Sequence, residues 1–337
     1  IDDVQQLKAD LGRTSVGKLG NDDQLKPILS EFYGSLVRNT AQLQEAIGLN
    51  LDELLSIPSG ELSIALLPGH RGSASTKSKK NDDDEAVDDE PARPAIAVLL
   101  DDGQEISSVQ VLLNRMHEAA TDMVHEEKAF ERLTLHRYQH PERRRQRFAY
   151  FIDDGVIIAT SDPDYAEVLA ARWLGLPSDD GVLADNRKFT SMMARCVGTA
   201  GERPQVSFYV DPLEIVRQLL PRTATTSMVL AMLPALGIDG IEAVGGSAII
   251  APPDFDSISH FHLSLSSPRR GILSLPRPKS GSTTPEPWVP DSIAGYSTIN
   301  WDLASTLQGI ERLFNQFRGE GSLNGQVFAP LSKRLDL

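Results

Sequence analysis

Cysteine is almost missing from this chain. Cys196 is the only one in 337 residues, which excludes an intramolecular disulfide framework and any multi-cysteine zinc or iron–sulfur centre. Set in the helical pattern Met192-Met193-Ala194-Arg195-Cys196, that thiol reads as a small core residue. Long apolar runs are missing too: no stretch of 18 apolar residues exists, so no segment is expected to span a bilayer. Basic charge is scarce, with 33 Lys and Arg against 47 Asp and Glu and a formal charge of −14. Phosphate recognition needs a basic stripe, so nucleic acid is excluded as a partner, and an anionic membrane surface is disfavoured for the same reason. There is no Walker loop, no G-x-S-x-G elbow and no H-E-x-x-H zinc pattern.

What the chain has in quantity is aspartate placed after short apolar or aromatic runs, at Ile1-Asp2-Asp3, Leu100-Asp101-Asp102, Thr160-Ser161-Asp162, Val210-Asp211 and Trp301-Asp302. Each is followed at once by an amphipathic helical pattern. Asp at an N-cap accepts a hydrogen bond from a first-turn N–H that otherwise lacks a partner, worth typically ~1 kcal/mol, and Gln6, Glu105 and Glu214 stand three residues on, as in a capping box. The spacing therefore predicts repeated strand-then-helix units whose acids are structural.

Between these caps, Glu61–Leu67 and Ala95–Leu100 read as strands, and residues 69–93, with Lys77, Lys79, Lys80 and the acidic runs 82–85 and 88–90, read as a disordered charged insertion joining them. Ile106, Val109, Leu112, Leu113, Met116 and Ala120 mark one face of a long helix. Arg147–Ile152 and Val156–Thr160 flank Asp153-Asp154-Gly155, a hairpin signature. Pro163 opens a helix carrying Tyr165, Val168, Leu169 and Trp173 inward. From Gln205 the plan repeats: a strand to Val210, a helix, an all-round apolar helix at Ser227–Leu236 expected to be buried, then Gly245–Ile250 echoing Gly60–Ala65 and the alternating strand Ser257–Leu265. This echo predicts internal duplication. The expected division is a first lobe over 1–175, a helical connector over 176–204, a second lobe over 205–290, and the start of a further repeat over 291–337.

Chemistry is harder to find. His260 and His262 alternate on a strand, so both project from one face as a pair of metal-ligand candidates lacking an identifiable third donor. His117 and His125 lie eight residues apart on the long helical pattern. His136, His140 and Arg143–Arg147 form a basic patch in a connection, read as solvated charge. Ser15-Val16-Gly17-Lys18 matches S-x-x-K without its companion motifs, and Gly319–Gly325 reads as a turn. No catalytic and no cofactor-binding residue is singled out.

The segments Ile57-Pro58-Ser59-Gly60-Glu61-Leu62, Leu183-Ala184-Asp185-Asn186-Arg187-Lys188-Phe189, Tyr209-Val210-Asp211-Pro212, Phe255–His260 and Thr283–Pro290 resemble a family of uncharacterised exported proteins of planctomycete bacteria. That family is similar in plan to a broader bacterial domain of unknown function, in which L-A-D-N-x-x-F recurs before a helix. The resemblance implies a signal peptide ahead of residue 1, a chain continuing past residue 337, and a periplasmic or envelope location. It carries over no activity, cofactor or site residue. The expected fold is α+β, twisted antiparallel and mixed sheets with helices packed on one face in tandem duplicated lobes. The expected function is a non-enzymatic, exported cell-envelope protein that is structural or binds a protein partner. The alternatives are a carrier of an apolar or lipid-like ligand in an inter-lobe cleft and a hydrolase with a site between lobes.

Overall fold

The computed structural model describes residues 1–20, 59–68, 94–102, 113–114, 117, 120–143, 146–177, 181–197, 203–220, 223–330 and 332. The charged insertion and most of the helix expected over 106–120 lie outside them. The fold is α+β, as the alternation of caps and apolar runs predicts.

By backbone contacts the chain forms two compact units, one of residues 1–221 and 243–263, the other of residues 222–242 and 264–337. The connector expected at 176–204 lies inside the first unit, and the lobe expected over 205–290 contributes to both. The first unit holds a six-stranded sheet in the order β1-β2-β6-β5-β4-β3, built from β1 (Leu62–Leu67), β2 (Ala95–Asp101), β3 (Val124–Phe130), β4 (Leu133–Gln139), β5 (Arg147–Asp153) and β6 (Val156–Thr160). Every pairing in this sheet is antiparallel. A three-stranded sheet, β7 (Val206–Val210), β8 (Ile241–Ile250) and β9 (Ser257–Leu265), has β8 in the middle.

Side chains alternate along a strand, so the large sheet presents two faces. On one, Leu133, Leu135, Ala149, Phe151 and Ile158 pack with Ala166 and Ala170 of the helix α3 (Pro163–Trp173). On the other, Leu62, Val98, Leu100, Tyr138, Tyr150 and Ile157 pack with Ala120 and with Val4 of the helix α1 (Val4–Arg13), which the short α2 (Ser15–Gly20) follows. Both faces are therefore core, and Leu135 and Phe151 are buried to 0% and 1% exposure.

The Asp-Gly hairpin forms in the expected register: Asp153 pairs with Val156, and Asp154 and Gly155 take φ of 47° and 81°. Two positive φ values match the right-handed twist of the flanking strands. At Gly60 an added Cβ would come within 2.6 Å of the Asp101 carboxylate, so a side chain at that position of the Ile57–Leu62 motif would force Asp101 to shift.

Four of the five capping aspartates do what their spacing predicts, and the helix start expected after Asp102 lies outside the described residues. Asp3 accepts from the N–H of Gln6 (2.7 Å), Asp162 from Asp164 (3.2 Å), and Asp211 from Glu214 (3.1 Å) at the start of α5 (Pro212–Leu219). Asp302 accepts from Ser305 (3.0 Å) at the start of α7 (Leu303–Arg318). The L-A-D-N-x-x-F stretch has an equally structural account. Asn186 caps α4 (Arg187–Met193), Lys188 reaches Asp211 at 2.8 Å, and Phe189 meets the Tyr209 ring edge-on at 5.4 Å. Two of the stretches that carry the family resemblance thus dock on each other.

Replacing Asp211 with Ala should lower stability by about 1 kcal/mol, read as a shift of the urea midpoint at unchanged slope. An unshifted midpoint would refute the capping role.

The second unit contains α6 (Ala224–Leu236), α7 and an isolated bridge between Pro278 and Trp301. Here one expectation needs correction. The all-round apolar helix within α6 has no buried residue, and Met228, Val229 and Met232 are exposed. The apolar sequence sets what the helix would gain by burial, but its described neighbours gather at its C-terminal end, around Gly237. Trp173, expected to point inward, also lies at the surface, where its indole N–H donates to Asp153 at 2.8 Å.

Candidate functional site

Two strands that carry chemistry were hidden in the sequence. His125, expected on the long helix, lies on β3, and His136, expected in a connection, lies on β4. The strands form a hairpin in which Glu127 pairs with His136 and His125 with Tyr138, while β4 pairs with β5 so that His136 faces Tyr150 and Tyr138 faces Phe148. This register lays down two parallel rows across three strands: Phe148, Tyr138 and His125 in one, Tyr150, His136 and Glu127 in the next.

The rows are stacked ring on ring. Centroids lie 4.6 Å apart for Tyr138–Phe148, 4.4 Å for His125–Tyr138 and 4.8 Å for His136–Tyr150, with interplanar angles of 16° or less. Cross-strand aromatic neighbours of this kind fix each other's orientation. Tyr138 and Tyr150 belong to the buried core, and the rows run outward from it to the exposed edge strand β3.

At that rim three donors converge. His125 Nε2 lies 3.2 Å from His136 Nδ1, and His136 Nδ1 lies 3.6 Å from a Glu127 carboxylate oxygen. All three donor atoms fall within 4.8 Å of one another, and among the described residues this is the one such grouping of three or more His, Cys, Asp or Glu. The 3.2 Å contact requires one imidazole to be an N–H donor and the other a neutral acceptor. Burial presses the pKa of His136 down, the carboxylate of Glu127 pulls it up, and a charged His125 would press it down again; the net is a lowered value. His136 is thus held toward the neutral form, the form with a free lone pair. Burial, then Tyr138 and Glu127, push the Tyr150 hydroxyl well above its ordinary pKa, so it stays a neutral stacking partner.

The opposite face of the same hairpin is tied down. Glu167 of α3 accepts from Lys128 of β3 at 2.7 Å and from Arg137 of β4. The outer hairpin therefore has a rigid backing on one side and an open imidazole–carboxylate rim on the other.

His260 and His262, the pair singled out by alternation, do share a face of β9, with ring centroids 6.4 Å apart. His260 Nδ1 lies 3.4 Å from the Ser247 hydroxyl, and His262 Nε2 lies 3.0 Å from the Arg195 carbonyl. No described acid joins them as a third donor. In the basic patch, His140 accepts from the N–H of Glu142 and Arg143 in a local turn, and Arg147 pairs with Asp162 at 3.1 Å. In the S-x-x-K match, the Ser15 N–H donates to the Asp256 carboxylate at 3.0 Å. Cys196 is buried, and that burial raises its thiol pKa, as expected of a core residue.

In the second unit, Leu236, Leu275, Ile310, Leu313, Phe314 and Phe317 line a shallow apolar groove with Arg318 at its margin. Among the described residues no helix is long and apolar enough to cross a membrane. The chain matches no family model, no curated protein and no solved structure.

Proposed function

We propose that this chain is a non-enzymatic binding protein of the bacterial cell envelope, and that the rim of the β3–β4 hairpin is its binding face. The observation that carries the reading is the convergence of His125, Glu127 and His136 at the open edge of a sheet whose inner strands are core. Rigid elements hold binding groups with more precision than loops do, and stacked aromatic rows provide that rigidity here. A hydrolase is disfavoured because the acids at strand ends, where such chemistry would be sought, are engaged with the first turns of their own helices. Export and a periplasmic location rest on the resemblance to exported planctomycete proteins.

Tandem duplication belongs to the same reading. Ile1 exchanges both backbone hydrogen bonds with Leu62 at the start of β1, and β1 pairs with β2; in the same order, β7 pairs with β8, and β8 neighbours β9. The second reading, a carrier of an apolar or lipid-like ligand, is favoured by the aliphatic and aromatic groove between α6 and α7, which lies within the second unit and not in the inter-lobe cleft expected.

The experiment is native mass spectrometry of the full-length protein purified from its own envelope fraction. A retained ligand or partner that is lost on replacing Glu127 and His136 is the expected result. A retained lipid unaffected by those replacements would favour the carrier reading, and recovery of a ligand-free cytoplasmic monomer would overturn both.

A further inference from the structure

We infer that His125, Glu127 and His136 form a binding site for a divalent transition-metal ion of the zinc class. The inference rests on the reading of this rim as the binding face, and names what it binds.

The geometry is the first argument. Zinc holds imidazole nitrogen and carboxylate oxygen at about 2.0–2.2 Å in tetrahedral array, which places neighbouring donors about 3.3–3.5 Å apart. The structure sets His125 Nε2 and His136 Nδ1 3.2 Å apart and His136 Nδ1 and Glu127 Oε1 3.6 Å apart. An ion entering between the imidazoles takes the place of the proton that the two nitrogens share. The cross-strand register already brings the three donor atoms within 4.8 Å of one another, so side-chain rotation is what remains to close them on the ion.

The donor set decides the class of ion. Two imidazoles and one carboxylate suit Zn²⁺ and its neighbours, whereas Ca²⁺ and Mg²⁺ take oxygen ligands and would gain little from the histidines. Three protein donors leave a fourth position for solvent or for a donor from a partner, the arrangement of an open site.

The surroundings orient the ligating rings by stacking. The Tyr150 ring stacks on His136, the Tyr138 ring stacks on His125, and His117 stands edge-on to His125 at 6.2 Å. Each ligating ring is thereby held on the side away from solvent. The half-buried pair His260 and His262 has no third donor, which makes it the internal control.

The test is isothermal titration of the full chain with ZnCl₂ at neutral pH, alongside Glu127→Gln, His136→Ala and His262→Ala. One high-affinity Zn²⁺ per chain is expected, weakened at least tenfold in Glu127→Gln and about 100-fold in His136→Ala, unchanged in His262→Ala, and not displaced by millimolar Mg²⁺. Glu127 is 61% exposed, so its variant keeps the fold even if His136→Ala loosens the hairpin, and thermal melts without metal verify this. Equal zinc affinity in the parent and Glu127→Gln would overturn the site, as would a high-affinity site lost in His262→Ala. Failure here with a partner still recovered from the envelope would remove the metal and leave the binding face; zinc binding with no recovered partner would do the reverse.

Discussion

Asp10→Ala should destabilise the chain by about 3 kcal/mol, far more than loss of any helix cap. Asp10 is 2% exposed. It accepts from Gln6 at 2.9 Å, from Gln205 at 2.8 Å, and from Arg13. Gln205 in turn is bonded at both ends to the backbone of Ile250, donating to its carbonyl and accepting from its N–H. One carboxylate therefore holds α1 to the meeting point of β7 and β8. Truncating it removes at one stroke the shared acceptor of Gln6, Gln205 and Arg13, hydrogen bonds to a charged group that are worth more than neutral ones.

The same residue predicts an acid limb. Burial works to raise the Asp10 pKa, but Gln6, Gln205 and Arg13 outweigh it, so the folded value lies below the ordinary 3.8. Because the folded pKa is depressed, its stabilisation is complete above pH 3.8 and is lost as pH falls through the lower value. Urea midpoints measured from pH 7 down to 2.5 should fall more steeply in the parent than in Asp10→Ala. Parallel curves would contradict the network.

Phe151→Ala should cost about 4 kcal/mol, the largest effect of any single truncation considered. Phe151 is 1% exposed and packs among Leu133, Leu135, Ala149, Ile158 and the alanines of α3, with no polar group to collapse into the space it leaves. Phe261→Ala is the matched control: Phe261 is 69% exposed on β9, and its loss should shift the urea midpoint hardly at all. Comparable losses from the two would mean that the α3-covered face is not the core.

How far the sequence revealed this molecule depended on what each element buries. The β5–β6 hairpin was readable because Asp154-Gly155 specifies its turn and both strands are apolar. The caps were readable because their signal is local, one carboxylate and one N–H three residues on. The β3 strand was not: Val124-His125-Glu126-Glu127-Lys128 offers no apolar alternation, because an edge strand packs on one neighbour only and carries charge against further pairing. Its Glu and Lys residues favour helix on propensity, and the preceding helical pattern places His117 and His125 eight residues apart on one helix.

The candidate site was hidden for the same reason, since it exists only when β3 lies beside β4 in one register. One signal pointed to it: Leu133-Thr134-Leu135 alternates apolar with polar residues and continues into His136-Arg137-Tyr138, so Leu135 and Arg137 share the α3 face while His136 and Tyr138 share the other. Read as a strand, that stretch places His136 on a face of its own, away from the arginines with which it was grouped. The helix α6 shows the opposite failure, where apolar composition predicted burial but tertiary neighbours decided the matter.

The most direct measurement of the central claim is anomalous diffraction at the zinc edge from crystals of the chain grown with one equivalent of ZnCl₂. A single peak within about 2.0–2.2 Å of His125 Nε2, His136 Nδ1 and a Glu127 oxygen is the predicted result. A peak at His260 and His262 with none on the β3–β4 rim would contradict it.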